Sequence, residues 1–380
     1  MTITFISNYI NHHQLPFCDA LSELIGVGFI FVQTERMEGE RIQMGWDDEG
    51  EKRDYVRKFY EDEEKVLRNI ESCDILLAGW YTDKRVKETV INRVKRNQPT
   101  FRISERIYRN GRWRYFSPRG LIQKYMEHTR FRHSKYYLLC AGSYVADDFR
   151  LIASYPGKKY RWGYFPTLVK YDEEFWRNKG KNEATTICWA GRFMPLKHPE
   201  YMLRLARDLQ DKGYNFHMNM IGSGEMEESL KRRAVDYDLS DKISFLGFAS
   251  PKYVREIMEK SDIFVFTSDN REGWGAVVNE AMNSGCAVVA SAEAGATGYL
   301  IKNRKNGFIY PNNNYEKMRA LVEILLNDNE LRIEMAQNAY QTITEVWNAE
   351  KAAIEFVRVS NEILEGKDII PTEEGPLSIT

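Results

Sequence analysis

Ser261-Asp262 leads into Ile263-Phe264-Val265-Phe266, which like Ala287-Val288-Val289-Ala290 is a short, continuously apolar run, and between the two lies a helical stretch opening near Gly275. A strand covered by helices on both faces needs such a run, because neither side of it meets water. The same rhythm extends in both directions. Upstream strands are expected at Ile3–Ile6, Val27–Val32, Asp74–Ala78, Thr100–Ile103, Tyr136–Cys140, Thr185–Ala190, Phe216–Ile221 and Ile243–Leu246, and a last one downstream at Gly307–Tyr310. Helical patterns at His198–Lys212, Glu225–Tyr237 and Tyr253–Lys260 fall between them. Strands alternating with helices imply parallel sheets, hence an α/β chain of Rossmann-like halves.

A chain of 380 residues suits two domains of roughly 150–200 residues each. The pattern restarts near residue 185 after the polar stretch Arg177–Glu183. The expected division is residues 1–167, then 168–345, with a helix at Ala349–Leu364 and a loosely ordered tail over 366–380. The net charge of -1 argues against a surface given over to nucleic acid. Cys18, Cys73, Cys140, Cys188 and Cys286 are scattered, which fits a reducing compartment and supports neither disulfides nor a cysteine-rich zinc site. No apolar run nears the roughly 20 residues that span a bilayer, and the first residues lack a basic leader. The expected location is cytoplasmic, with peripheral contact on the inner face of the cytoplasmic membrane.

That contact is suggested by residues 84–135, which hold 16 Lys/Arg against the three acids Glu88, Glu105 and Glu127. Aromatics are interleaved, among them Phe101, Tyr108, Trp113, Phe116 and Tyr125. An anionic membrane surface, met through residues 102–135, would attract such a segment. A plain solvated face with its aromatics in the core is the alternative, and no nucleic-acid-binding module is present.

Four constellations in the second half can carry chemistry. Gly191-Arg192-Phe193-Met194-Pro195-Leu196-Lys197 follows a strand and opens a helix, and two cations there suit a diphosphate. Gly222-Ser223-Gly224 stands at another strand-to-helix junction, where it serves either ligand approach or a plain turn. Glu272-Gly273-Trp274-Gly275 precedes Glu280, and a carboxylate accepts hydrogen bonds from vicinal sugar hydroxyls. Ser291–Gly298 and Asn306–Pro311 read as a loop and a turn into a terminal strand.

Taken in order, with Phe245-Leu246-Gly247-Phe248 and Glu280-Ala281-Met282, these segments resemble the retaining glycosyltransferases of the GT-B fold, family 4. The resemblance is strong over residues 185–345 and weak over the first half. It implies two Rossmann-like domains with mainly parallel sheets facing across a cleft, the N-terminal one on the acceptor side. A last helix, within 346–365, would cross back onto that first domain. It implies a nucleotide-diphosphate sugar as co-substrate, UDP favoured over GDP, and neither cofactor nor metal. Arg192 and Lys197 would neutralise the leaving diphosphate, Glu272 would contact the donor sugar and Glu280 the ribose. Gly191, Gly222, Gly224, Phe248, Gly273, Trp274 and Gly275 would complete the donor site. Acceptor-side candidates are His13, in Ser7-Asn8-Tyr9-Ile10-Asn11-His12-His13-Gln14 where the family often has glycines, and Glu105 and Arg106 after a strand. His198 also departs from the family, standing where glycine is common. The expected acceptor is lipid-linked or another membrane-borne glycan, in surface polysaccharide biosynthesis. A non-catalytic nucleotide-sugar-binding partner subunit is the alternative; a sugar-nucleotide epimerase has no residue set to single it out.

Overall fold

The computed structural model describes residues 1–37, 39 and 49–380. It comprises two compact units, Met1–Thr167 with Val346–Thr380, and Leu168–Glu345. Each is built on one sheet whose strands pair in parallel.

The first unit contains β1 (Ile3–Ser7), β2 (Phe29–Gln33), β3 (Val56–Lys58), β4 (Ile75–Ala78), β5 (Thr100–Ser104), β6 (Tyr136–Ala141) and β7 (Lys159–Trp162), ordered β3-β2-β1-β4-β5-β6-β7. Every residue of β1 and β4 is buried, as a central strand covered on both faces requires. The sequence pattern misses β3 and β7, because basic residues interrupt these short edge strands. It also starts β2 too early. Gly26 takes φ +54° at the end of the preceding helix, and Gly26–Gly28 forms a 3₁₀ turn that leaves Val27 fully exposed.

The second unit contains β8 (Thr185–Ala190), β9 (Phe216–Ile221), β10 (Ile243–Phe245), β11 (Ile263–Phe266), β12 (Ala287–Ser291) and β13 (Phe308–Tyr310), ordered β10-β9-β8-β11-β12-β13. Its core joins Ile187, Met218, Val265 and Val289 of the sheet to Leu203, Leu230 and Leu321 of the helices.

The helix Ala349–Leu364 returns to the first unit, started by Asn348, whose side chain accepts from the Lys351 backbone N–H. Phe356 is wholly buried there, with ring centroids 5.0 Å from Phe101 and 6.1 Å from Phe17. The tail corrects the expectation of loose order. Arg161 N donates to Ser378 O at 2.8 Å, Leu377 N donates to Arg161 O at 2.9 Å, and Leu377 is wholly buried. The edge of β7 offers unpaired backbone groups, and the tail satisfies them.

Candidate active site

In an open parallel sheet, the carboxyl ends of the strands on either side of a reversal in strand order leave a crevice. In the second unit that reversal falls between β8 and β11. Gly191–Lys197 leaves β8 there, and Thr267–Glu272 leaves β11. The fold thus brings together segments about 75 residues apart. Lys197 Nζ donates to Glu272 Oε2 as an ion pair, both side chains being largely buried. Asp269 N donates to Leu196 O at 2.9 Å, and Thr267 Oγ1 donates to Lys197 O, so the two loops are joined through their backbones as well. Trp189 Nε1 in turn donates to Thr267 Oγ1 at 2.8 Å. Arg192 is exposed, and among the described residues its guanidinium has no ion-pair partner.

The neighbouring loops are stitched alongside. Phe193 N donates to Ser223 O at 2.9 Å, and Gly222 N donates to Gly247 O at 2.8 Å. Gly222 has φ +132°, and a Cβ there would lie 1.9 Å from Gly191 O. Gly224 has φ +156°, and a Cβ there would lie 2.5 Å from Phe193 O. These glycines are therefore required by loop-on-loop packing. The first and second constellations are one structural unit. Phe248, just past Gly247, leaves half its surface exposed.

Trp274 is almost wholly buried, and its indole N–H donates to Asn279 Oδ1 at 2.8 Å, so the side chain anchors the glycine loop to the following helix. The peptide carbonyls of Gly273 and Trp274 accept from Gly295 N and Ala296 N, which places the fourth constellation beside the third. Gly275 has φ +91° and lies against the Phe266 ring. The helix starts at Val277, two residues later than the sequence suggests, so Glu280 falls in its first turn. Burial pushes the Glu280 carboxyl up to about 7, with Arg255 pulling the other way.

His198 takes a left-handed backbone, φ 48° and ψ 49°, which accounts physically for glycine being favoured at such a position. Its Nδ1 lies 2.8 Å from Glu200 Oε1 and its Nε2 lies 3.5 Å from Asp269 Oδ2. The hydrogen bond to Glu200 raises its pKa, burial opposes this, and Asp269 adds to it. For Asp269 itself burial acts upward, but the Arg271 side chain and backbone N–H outweigh it and hold the carboxyl low.

The acceptor-side candidates lie in the first unit, after β1 and β5. His13 stacks on Tyr164 with centroids 5.9 Å apart, and Tyr164 Oη donates to Glu105 Oε1 at 2.5 Å, so His13 and Glu105 share one partner. Burial, helped by His12, lowers the His13 pKa well below the usual imidazole value. The Arg106 side chain is largely buried, with Nε 3.8 Å from the wholly buried Asp148 and its guanidinium 4.8 Å over the Tyr144 ring. It holds its own loop in place rather than presenting its charge outward. The basic aromatic segment divides. Phe101, Tyr108 and Phe131 are core, whereas Trp113, Phe116 and Tyr125 are exposed. The side chains of Arg112 and Arg114 lie outside the described residues.

Residues 170–342 match the family model of the glycosyl transferases group 1. Over this stretch the second unit is similar to the glycosyl transferases group 1. The chain spans about half the length of the curated relatives it matches. One is an uncharacterised glycosyltransferase of Haemophilus influenzae, 31% identical over 181 residues, covering 47% of this chain and 50% of that protein. Another is the N,N'-diacetylbacillosaminyl-diphospho-undecaprenol alpha-1,3-N-acetylgalactosaminyltransferase of Campylobacter jejuni, 27% identical over 180 residues, covering 47% of this chain and 46% of that protein. The fold of the whole chain is that of the GT-B protein HepE from Anabaena, whose structure was solved with UDP. The two superpose with a TM-score of 0.68 over 96% of this chain and 99% of that one, at 14% identity.

Within the second unit, sequence reasoning gave no role to Thr267 or Asp269, which tie the Lys197 and Glu272 loops together. The available signal was their position directly after β11, at the reversal of strand order. Among the described residues no helix is long and apolar enough to cross a membrane.

Proposed function

We propose that the chain is a retaining, metal-independent glycosyltransferase of family 4. It would move a sugar from a nucleotide-diphosphate sugar, UDP favoured over GDP, to a lipid-linked or other membrane-borne glycan in surface polysaccharide biosynthesis. The observation that carries this reading is the Lys197–Glu272 pair at the sheet reversal, with the Arg192 cation beside it in sequence. Without donor, Lys197 and Glu272 neutralise each other. A diphosphate displaces Glu272 as the partner of Lys197, and Arg192 adds a planar fork for two phosphate oxygens. Glu272 is then available to hydroxyls of the donor sugar, and Glu280 to the ribose. The exposed Phe248 ring offers the base a face.

In the transfer, the bond from the anomeric carbon to the diphosphate oxygen breaks. Positive charge grows on the sugar and negative charge on the diphosphate, where the fixed cations stabilise it. The acceptor hydroxyl attacks from the face the diphosphate leaves, and a diphosphate oxygen takes its proton, so the configuration is retained. The glycan transferase from Campylobacter jejuni, named for a diphospho-undecaprenol acceptor, supports a lipid-linked substrate.

The test is thermal stabilisation by UDP, GDP, ADP and their sugar conjugates. A nucleotide at about 100 times its dissociation constant adds roughly 2.7 kcal/mol to stability. The expected result is a response to a uridine nucleotide that is weakened in Arg192→Ala and Glu280→Ala. Glu272→Ala should fold normally and lose transfer, measured as nucleotide release in the presence of acceptor lipid extract. No response to any nucleotide would overturn the donor site. Binding with no turnover in the wild-type protein would favour the non-catalytic partner subunit.

A further inference from the structure

The segment Arg112–Glu127 of the first unit inverts the ordinary arrangement of a surface helix. An amphipathic helix on a globular protein turns its apolar stripe to the core. The helix Pro118–Glu127 has no buried residue. Leu121, Ile122, Tyr125 and Met126 are spaced three and four apart on one stripe, and all four are exposed, Ile122 at 65% and Tyr125 at 55%. The preceding 3₁₀ turn, Arg112–Phe116, adds Trp113 at 68% and Phe116 at 78% exposure. Six large apolar side chains in fourteen residues of chain are unusual at a water-facing surface. The element is nonetheless anchored. Ser117 caps the helix through the Gly120 N–H, the Tyr115 ring packs against buried Tyr108, and Lys87 pairs with Glu127.

The charges around the stripe select its occupant. Arg109, Arg119, Arg132 and Lys135 are exposed, Lys124 and Arg130 are partly so, and Arg112 and Arg114 are adjacent in sequence. The one acid in this stretch, Glu127, is already neutralised by Lys87. A second copy of the same face would bring these cations against each other, so self-association is opposed. An anionic lipid surface attracts them and accepts the apolar stripe in its interfacial layer, where Trp and Tyr rings are favoured.

We infer that the Arg112–Glu127 element is a membrane-docking device that inserts Trp113, Phe116, Ile122 and Tyr125 among anionic headgroups. The inference stands on this surface alone and does not depend on the transferase reading, since its readout needs neither donor nor acceptor. The probe is sedimentation of the full chain with vesicles of phosphatidylcholine, with and without about a third phosphatidylglycerol. The expected result is binding to the anionic vesicles only, weakened by salt, with a blue shift of tryptophan emission that is lost in Trp113→Phe. Ile122→Asp with Tyr125→Asp should weaken binding on the order of ten-fold or more. Both side chains are exposed, so the melting temperature should hold, and that is checked in parallel. Failure of the wild type to bind anionic vesicles overturns the inference. So does binding unchanged in the double variant, or light scattering that shows a dimer which the double variant dissolves.

Discussion

His198 holds a left-handed backbone that few side chains adopt, and it sits between two carboxylates. Its imidazolium is favoured by Glu200 and Asp269, so its folded pKa is raised. A raised pKa stabilises the fold most below the unfolded value of about 6.5, and that contribution is lost as pH rises through the folded value. His198→Asn tolerates the left-handed backbone and removes the titrating ring. The expected outcome is a stability deficit in the variant, measured by urea unfolding, that is largest near pH 6 and shrinks toward pH 9. A deficit independent of pH would mean that the two carboxylates do not act on the ring. The identity of this residue was plain in the sequence, and its role was not. Neither its φ nor the approach of Asp269, 71 positions away, follows from local pattern.

The loops after β8 and β9 behave as one element because Gly222 and Gly224 let their backbones touch. A methyl group at Gly222 meets the Gly191 carbonyl oxygen at 1.9 Å, and backbone there has nowhere to retreat. Gly213 has φ +75° with nothing within 4 Å, so alanine there bears only the left-handed cost of about 1–2 kcal/mol. Gly222→Ala is expected to cost clearly more than Gly213→Ala by denaturant unfolding, and to displace Arg192 and Lys197, abolishing nucleotide-induced stabilisation. Equal cost at the two positions would show that the loops are not packed as described. The 3₁₀ turn Arg112–Phe116 and the helix Pro118–Glu127 differ from these loops in facing outward. The sequence left two readings of this segment, an anionic-surface contact or a solvated face with its aromatics in the core, and burial shows Tyr108 inside but Trp113, Phe116, Ile122 and Tyr125 exposed.

At the scale of the molecule, the first unit is discontinuous in sequence. Its core closes only when the helix Ala349–Leu364 returns and Phe356 enters between Phe17, Phe101 and Trp162. Phe356→Ala is expected to destabilise that unit by about 3–5 kcal/mol. Stabilisation of the second unit by nucleotide should persist, because its site residues all lie within Leu168–Glu345. Hydrogen exchange read unit by unit distinguishes this from collapse of both. The sequence by itself determined the α/β class, the central strands and the helix Ala349–Leu364, because burial on both faces and helical periodicity are local signals. It also pointed to the residues of the second unit's loops, since glycine and charge at strand ends are visible in one dimension. Edge strands β3 and β7 escaped it, their basic residues leaving no continuous apolar run. Only the tertiary structure decided that Lys197 meets Glu272, that the motif glycines serve packing between loops, and that the tail completes an edge. Each of these is a contact between segments distant in the chain, fixed by sheet order and by backbone groups that must be satisfied, and none is written in any single stretch of residues.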